Sequence, residues 1–143
     1  MTEWHRHIYQ DSTIGGAHPE DYFDRHLAKV GADSLWVATI GSETIGLVGL
    51  IVDGEEAAIE PLVVSKPYRN KGVGKRLVET VIAHARERGI KFLNVEPVAR
   101  NTKAIKFFHS QVFKNIGHEQ LFIDFSNHHW KNGLKLFDCK FNF

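Results

Sequence analysis

Residues 59–79 read IEPLVVSKPYRNKGVGKRLVE, and how this stretch is parsed decides the fold. Leu62-Val63-Val64 is an apolar run short enough for a strand. Ser65-Lys66-Pro67-Tyr68 turns it into Arg69-Asn70-Lys71-Gly72-Val73-Gly74. Beyond that turn, Leu77, Val78, Val81, Ile82 and Ala85 share one face of a helical repeat, which predicts an amphipathic helix. Gly72 and Gly74 carry no Cβ, so the N–H groups that open this helix can close on a bulky anion. Unpaired N–H groups and a partial positive charge make a helix's first turn suited to phosphate. Lys66, Arg69, Lys71, Lys75 and Arg76 surround it with cations. The stretch is read as a pyrophosphate cradle.

Three phosphate-binding patterns compete for these residues. A Walker A loop needs Gly at position 69 and Ser or Thr at position 76, and both positions are Arg. The Rossmann fingerprint needs a small residue where Leu77 stands, although Glu96 lies at a fitting distance downstream. Seven residues also separate Val64 from Gly72, whereas a Rossmann turn follows its strand almost directly. The third pattern is Arg/Gln-x-x-Gly-x-Gly/Ala, and Arg69-Asn70-Lys71-Gly72-Val73-Gly74 meets every fixed position.

In that third pattern the chain resembles the GNAT superfamily of N-acetyltransferases. Val64 and Tyr68 extend the likeness to V-x-x-x-Y-R-x-x-G-x-G, and Asn101-Thr102-Lys103-Ala104-Ile105-Lys106-Phe107-Phe108 is similar to the family's N-x-x-A-x-x-F-Y helix. The matching segments span roughly residues 35–125. The resemblance implies that backbone amides of residues 69–74, with Lys75 beside them, hold the pyrophosphate of acetyl-coenzyme A. It implies that the strand carrying Leu62, Val63 and Val64 parts from a parallel neighbour, so that those residues' backbones pair with the pantetheine arm. One of their N–H groups would face the thioester oxygen, a type of contact worth about 3–4 kcal/mol to an oxyanion. Asn101, Phe107 and Phe108 fall on the family's second coenzyme-binding block. Asn101 is equally an ordinary N-cap for the helix that begins at Thr102.

The resemblance also implies a general base at Glu60, nine residues before Arg69, where several small-amine acetyltransferases carry Glu. An alkylammonium with a pKa near ~10 is only about one part in a thousand neutral at pH 7, so the chemistry needs a base. A solvated strand carboxylate is the plain alternative. The family's Tyr, proposed to protonate the departing thiolate, is replaced by Phe108, which has no proton to give. A thiol with a pKa near ~8.5 leaves readily as thiolate, so this replacement is compatible with turnover. It also favours a second reading, an acyl-coenzyme A binding protein with weakened catalysis.

Composition fits one small domain over residues 1–143, with 43% hydrophobic and 24% charged residues and room for a single core. A formal net charge of +1 gives no general attraction to nucleic acid or anionic membranes, and the basic cluster is local. Cys139 is the single cysteine, which excludes an intrachain disulfide and fits a reducing, cytoplasmic setting. No apolar run approaches the ~20 residues of a membrane span, and Trp4-His5-Arg6-His7 is unlike a signal peptide. Nine histidines invite a metal, but His5, His7, His128 and His129 lack Cys or acidic partners at ligand spacing, so no metal is expected.

In chain order, helical spacing begins at Pro19 and ends at Gly31. Strands are expected at Leu35–Ile40, Ile45–Val52 and Ala57–Val64, joined by tight turns into an antiparallel meander. A helix over Gly72–Arg88 then crosses to a strand at Lys91–Val95, parallel to residues 62–64. A helix from Thr102 to about Gln111 follows, then strands at Gln120–Phe125 and Leu134–Phe141. Trp130, in the loop between them, is expected to pack on the core, and Asp124 could attract an amine. The fold class is α/β (α+β), a GNAT-like mixed sheet with helices on both faces. Only 34 residues precede Leu35, so a shortened N-terminal region is expected, with a possible homodimer through the exposed edge. Pro61 cannot donate to a ladder and marks an edge or a bulge. The acceptor is expected to be a primary amine of a small molecule or peptide.

Overall fold

The computed structural model describes residues 32–125 and 129–142, together with the helical residues Asp24, Ala28 and Val30. The rest of the expected Pro19–Val30 helix lies outside the described residues, as do His5, His7 and His128. The described residues fall into two compact units divided between Glu96 and Pro97.

The first unit is a four-stranded sheet in the order β1-β2-β3-β4, comprising β1 Leu35–Ile40, β2 Glu43–Asp53, β3 Glu56–Val64 and β4 Phe92–Asn94. The meander β1-β2-β3 is antiparallel and β3 pairs with β4 in parallel. Helix α1, Val73–Glu87, makes the crossover between β3 and β4. Its buried stripe is Leu77, Val78, Val81 and Ala85, the face that the spacing predicted. Ile82 is only half-buried, at the margin of that stripe. Val48 and Leu50 of β2 are fully buried with Val78 and Val81, and these four are the centre of the core.

Two glycines of β2 show what lies on each side of the sheet. A Cβ on Gly46 would meet Leu77 and Val73 of α1, and a Cβ on Gly49 would meet Val30. Side chains three apart on a strand point to opposite faces. Val30, one of the described helical residues, therefore lies across the sheet from α1, in keeping with helices on both faces.

The parallel pairing differs from expectation. Glu56, Ala57 and Ala58, rather than residues 62–64, stand opposite Phe92, Leu93 and Asn94. The Lys91 N–H donates to the Glu55 carbonyl at 2.8 Å, so β4 starts level with the start of β3. With three residues in β4, Leu62–Val64 have no strand partner on that side among the described residues.

In the second unit, helix α2, Thr102–Ser110, is capped by Asn101, whose side chain accepts from the Ala104 N–H at 3.2 Å. The expected strand at Gln120–Phe125 is absent, and residues 113–125 have no regular structure. Leu121, Ile123 and Phe125 alternate as a strand would, but they are exposed and have no pairing partner, without which such a strand does not hold. The expected strand Leu134–Phe141 is instead a hairpin, β5 Asn132–Leu136 and β6 Cys139–Asn142. Phe137 and Asp138 turn it with φ of 51° and 62°, a left-handed pair of the kind that matches hairpin twist.

Candidate active site

Glu60 and Pro61 together oppose the single residue Gly49, because the β2–β3 register moves from Leu50↔Ile59 to Val48↔Leu62. This is a β-bulge, one extra residue that re-aims everything after it. The expectation for Pro61 is met here, and the Glu60–Pro61 peptide is cis. Glu60 is exposed on the bulge, and Pro61 is buried.

The bulge decides which backbone groups of β3 face outward. The Ser65 N–H donates to the Ile45 carbonyl at 2.9 Å, so Ser65 and Ile45 form a hydrogen-bonded antiparallel pair. Such pairs alternate along a ladder, so Val63 spends its N–H and C=O on Leu47. Leu62 and Val64 then direct theirs away from β2, to the side that β4 does not reach. The Val64 carbonyl already accepts from Arg69 Nε at 2.9 Å, in agreement with that alternation. Of the three residues expected to meet a ligand through the backbone, Leu62 offers both groups, Val64 offers its N–H, and Val63 is turned to the sheet.

The turn that follows is tied down at several points. Lys66–Tyr68 makes one 3₁₀ turn, with the Tyr68 N–H donating to Ser65 at 2.9 Å and the Arg69 N–H to Lys66 at 3.3 Å. Gly72 then adopts φ 83° and serves as N-cap of α1 without a side-chain cap. A Cβ there would meet open space, so the requirement for glycine lies in the backbone angle rather than in crowding. The first intrahelical bond runs from the Arg76 N–H to the Gly72 carbonyl at 3.1 Å. The N–H groups of Val73, Gly74 and Lys75 therefore have no intrahelical acceptor, as at any helix start. Lys66, Arg69, Asn70, Lys71, Lys75 and Arg76 are exposed around them. Lys75 also sits 3.8 Å from Glu79, a loose surface pair. Unpaired amides, a left-handed glycine and a ring of cations suit a diphosphate, and the outward-facing groups of Leu62 and Val64 suit an extended amide arm.

Two residues of this unit escaped the sequence. Gly49 leaves room for the bulge, since a Cβ there would stand 2.6 Å from the Glu60 carbonyl oxygen. Glu43 accepts a hydrogen bond from the Tyr68 hydroxyl at 2.9 Å. The carboxylate beside it, through the hydrogen bond and then its charge, raises the Tyr68 pKa above its ordinary 10.0. Neither contact leaves a local signal, because each joins residues far apart in sequence.

In the second unit, Asn101 is buried and occupied as a cap. Phe108 packs edge-on between Phe107 and Phe113, with ring centroids 5.2 and 5.7 Å away. Trp130 donates from Nε1 to Asp124 at 2.6 Å, and its ring lies against Phe122 and under Arg100. Trp130 is half-buried and packs on exposed Phe122 rather than on the core as expected, and Asp124 is engaged with its ring. His109 accepts from Lys114 through its backbone carbonyl. Among the described residues no group of three or more potential ligands is placed to hold a metal ion.

These features define an α/β protein whose sheet opens beside a helix terminus ringed by exposed cations. The acetyltransferase (GNAT) family model matches residues 1–112. The "Probable N-acetyltransferase camello" of Xenopus laevis is 32% identical over 100 residues, covering 66% of this chain and 46% of that protein. A solved structure from Bacillus anthracis str. Ames, described as a streptothricin acetyltransferase with acetyl coenzyme A, is 27% identical with a TM-score of 0.55, covering 61% of this chain and 51% of that one. A GNAT family acetyltransferase from Staphylococcus aureus Mu50 is 22% identical with a TM-score of 0.64, covering 87% of this chain and 80% of that one. The chain belongs to the acetyltransferase (GNAT) family. It spans about half the length of the curated relative it matches.

Proposed function

We propose that this protein transfers an acetyl group from acetyl-coenzyme A to a primary amine of a small molecule or peptide, by direct attack within a ternary complex. The observation that carries this reading is the continuity of two features. The outward-facing backbone of Leu62 and Val64 leads through a pinned turn into the unpaired amides of Val73, Gly74 and Lys75. An extended amide arm ending in a diphosphate fits that path, whereas nicotinamide dinucleotides offer no such arm. The likeness to a structure solved with acetyl coenzyme A supports the same donor.

Bound there, the donor supplies an activated acyl carbon on sulfur. The Leu62 N–H is the donor aimed where negative charge develops on the acyl oxygen, an interaction worth about 3–4 kcal/mol elsewhere. Glu60, exposed on the bulge two residues earlier, takes the ammonium proton directly or through one water. The freed nitrogen lone pair forms the new C–N bond as the C–S bond breaks, and the sulfur leaves with the electron pair. Phe108 cannot protonate that thiolate, which is stable enough to depart unaided. Arg69 holds the Val64 carbonyl and so fixes the approach of the turn. Residues 1–143 are proposed to act as one domain in the cytoplasm, without a resident metal.

Calorimetric titration with acetyl-coenzyme A, followed by thiol release with a panel of amines, tests the reading. Saturable binding and amine-dependent release are expected. Binding without release from any amine would favour the second reading, an acyl-coenzyme A sensor, to which Phe108 in its aromatic cluster lends support. No binding at all would remove both. The expected phenotype of Glu60→Gln is a loss of about 10²- to 10⁴-fold in kcat/KM below the amine's pKa. An unchanged profile from pH 6 to pH 9 would take Glu60 out of the mechanism.

A further inference from the structure

Tyr68 sits at the centre of an arrangement that the reaction does not by itself require. Its hydroxyl donates to Glu43 Oε2 at 2.9 Å, while Lys71 Nζ stands over its ring, 5.6 Å from the centroid. Glu43 is the first residue of β2, opposite Ile40 at the closed end of the β1–β2 hairpin. Two residues further along the same strand, the Ile45 carbonyl receives the Ser65 N–H. The turn between β3 and α1 is thus moored twice to β2, once where it leaves the sheet and once by the Tyr68 side chain. A third tie, from Arg69 Nε to the Val64 carbonyl, folds the turn back on β3. Glu43 is an acid in the neighbourhood of a cationic turn, where charge alone would oppose an anionic ligand.

We propose that Glu43 is a positioning residue for the coenzyme diphosphate. Its carboxylate holds the Tyr68 hydroxyl, and Tyr68 in turn holds the turn and Lys71 in the shape that the diphosphate needs. The raised pKa of Tyr68 agrees with a hydroxyl that donates to a carboxylate. A turn already fixed before binding loses less conformational freedom when the ligand arrives, so the strap acts on affinity rather than on chemistry. This inference rests on the acetyl-coenzyme A reading and adds to it a residue 25 positions from Tyr68 in sequence.

Affinity for acetyl-coenzyme A and for S-acetylpantetheine, which lacks the diphosphate, is measured for the wild type, Glu43→Ala, Glu43→Gln and Tyr68→Phe. Thermal midpoints are recorded alongside. Glu43→Ala and Tyr68→Phe are each expected to weaken acetyl-coenzyme A binding about three- to tenfold, the scale of one exposed charge-assisted hydrogen bond. Neither should change S-acetylpantetheine binding, and the double variant should be no worse than either single one. Glu43→Gln keeps an acceptor and is expected to bind as well as the wild type, or more tightly for want of the negative charge.

A carboxylate that acts only through its charge predicts a different sign, with tighter binding for both Glu43→Ala and Glu43→Gln, and that result overturns the proposal. Equal weakening toward both ligands overturns it too, as does wild-type affinity in Tyr68→Phe. If the wild type binds S-acetylpantetheine but not acetyl-coenzyme A, the diphosphate role fails while a thioester site stands. If the wild type binds neither, the parent reading falls along with the inference.

Discussion

A methyl group at position 49 would stand 2.6 Å from the Glu60 carbonyl oxygen and 3.0 Å from the Pro61 ring. Both neighbours belong to the bulge, and one of them is backbone, so the strain cannot be relieved by turning a side chain. Gly49→Ala is therefore expected to cost about 1–3 kcal/mol of stability, the scale of overpacking a core. It should also displace Glu60 and lower kcat, and denaturant unfolding together with thiol release would measure the two effects. Gly72 is the opposite case, with open space around it but φ at 83°. Gly72→Ala should cost about 1–2 kcal/mol through the left-handed conformation alone and should weaken acetyl-coenzyme A binding. Tyr68 gives a pH test. Its pKa is raised above 10.0 in the folded protein, so its contribution to stability is complete below that pH. That contribution is lost as pH rises through the folded value. Ultraviolet titration of the wild type against Tyr68→Phe should show one tyrosine ionising late, and Glu43→Ala should return it to its usual range. The glycine pattern made Gly72 legible in the sequence, because the motif is a string of neighbours. Gly49 and Glu43 were not legible, since the partners that give them meaning arrive from other strands and turns.

At the scale of elements, period and punctuation carried most of the fold. The three meander strands and α1 lie within two residues of their expected ends, because each alternates or repeats cleanly between glycine-bearing turns. Where the sequence misled, pairing rather than pattern decided the outcome. Gln120–Phe125 has strand alternation but no partner, and β4 pairs with the start of β3 because it begins level with Glu55. The hairpin at Phe137–Asp138 was hidden because neither residue is the Asn or Gly that usually announces a left-handed turn. Two substitutions test the elements directly. Leu50→Ala, at a position with no exposure, should destabilise the first unit by about 2–5 kcal/mol in denaturant unfolding. Asn101→Ala removes the cap of α2 and should cost about 1 kcal/mol. A coenzyme affinity changed far beyond that cost would identify Asn101 as a ligand contact as well as a cap.

Across the whole molecule, charge is concentrated rather than abundant. The net charge is only +1, yet Lys66, Arg69, Lys71, Lys75 and Arg76 stand exposed around one turn. Affinity for acetyl-coenzyme A should therefore fall as salt is raised, since exposed charges are screened over about 8–10 Å at physiological ionic strength. S-acetylpantetheine, without phosphate, should be nearly indifferent to salt. Ligand that binds only the folded state should also raise the thermal midpoint, by about 2.7 kcal/mol of apparent stability at one hundred times Kd. Local charge was readable from sequence because it is contiguous. The division between Glu96 and Pro97 was not, since it depends on which contacts form rather than on composition.

The extra residue in β3 has a consequence for anyone redesigning this protein. Sliding residues 61–64 by one against β2, so that Glu60 alone faced Gly49 and Leu62 faced Leu47, would let β3 zip evenly against β2 and would please any procedure that rewards regular ladders. That slip would exchange the roles of odd and even positions, presenting Val63 where Leu62 and Val64 now look outward. A variant redesigned to that register is expected to melt later than its parent while turning the Leu62 and Val64 groups away from a passing thioester, so thermostability alone is the wrong yardstick for engineering this sheet.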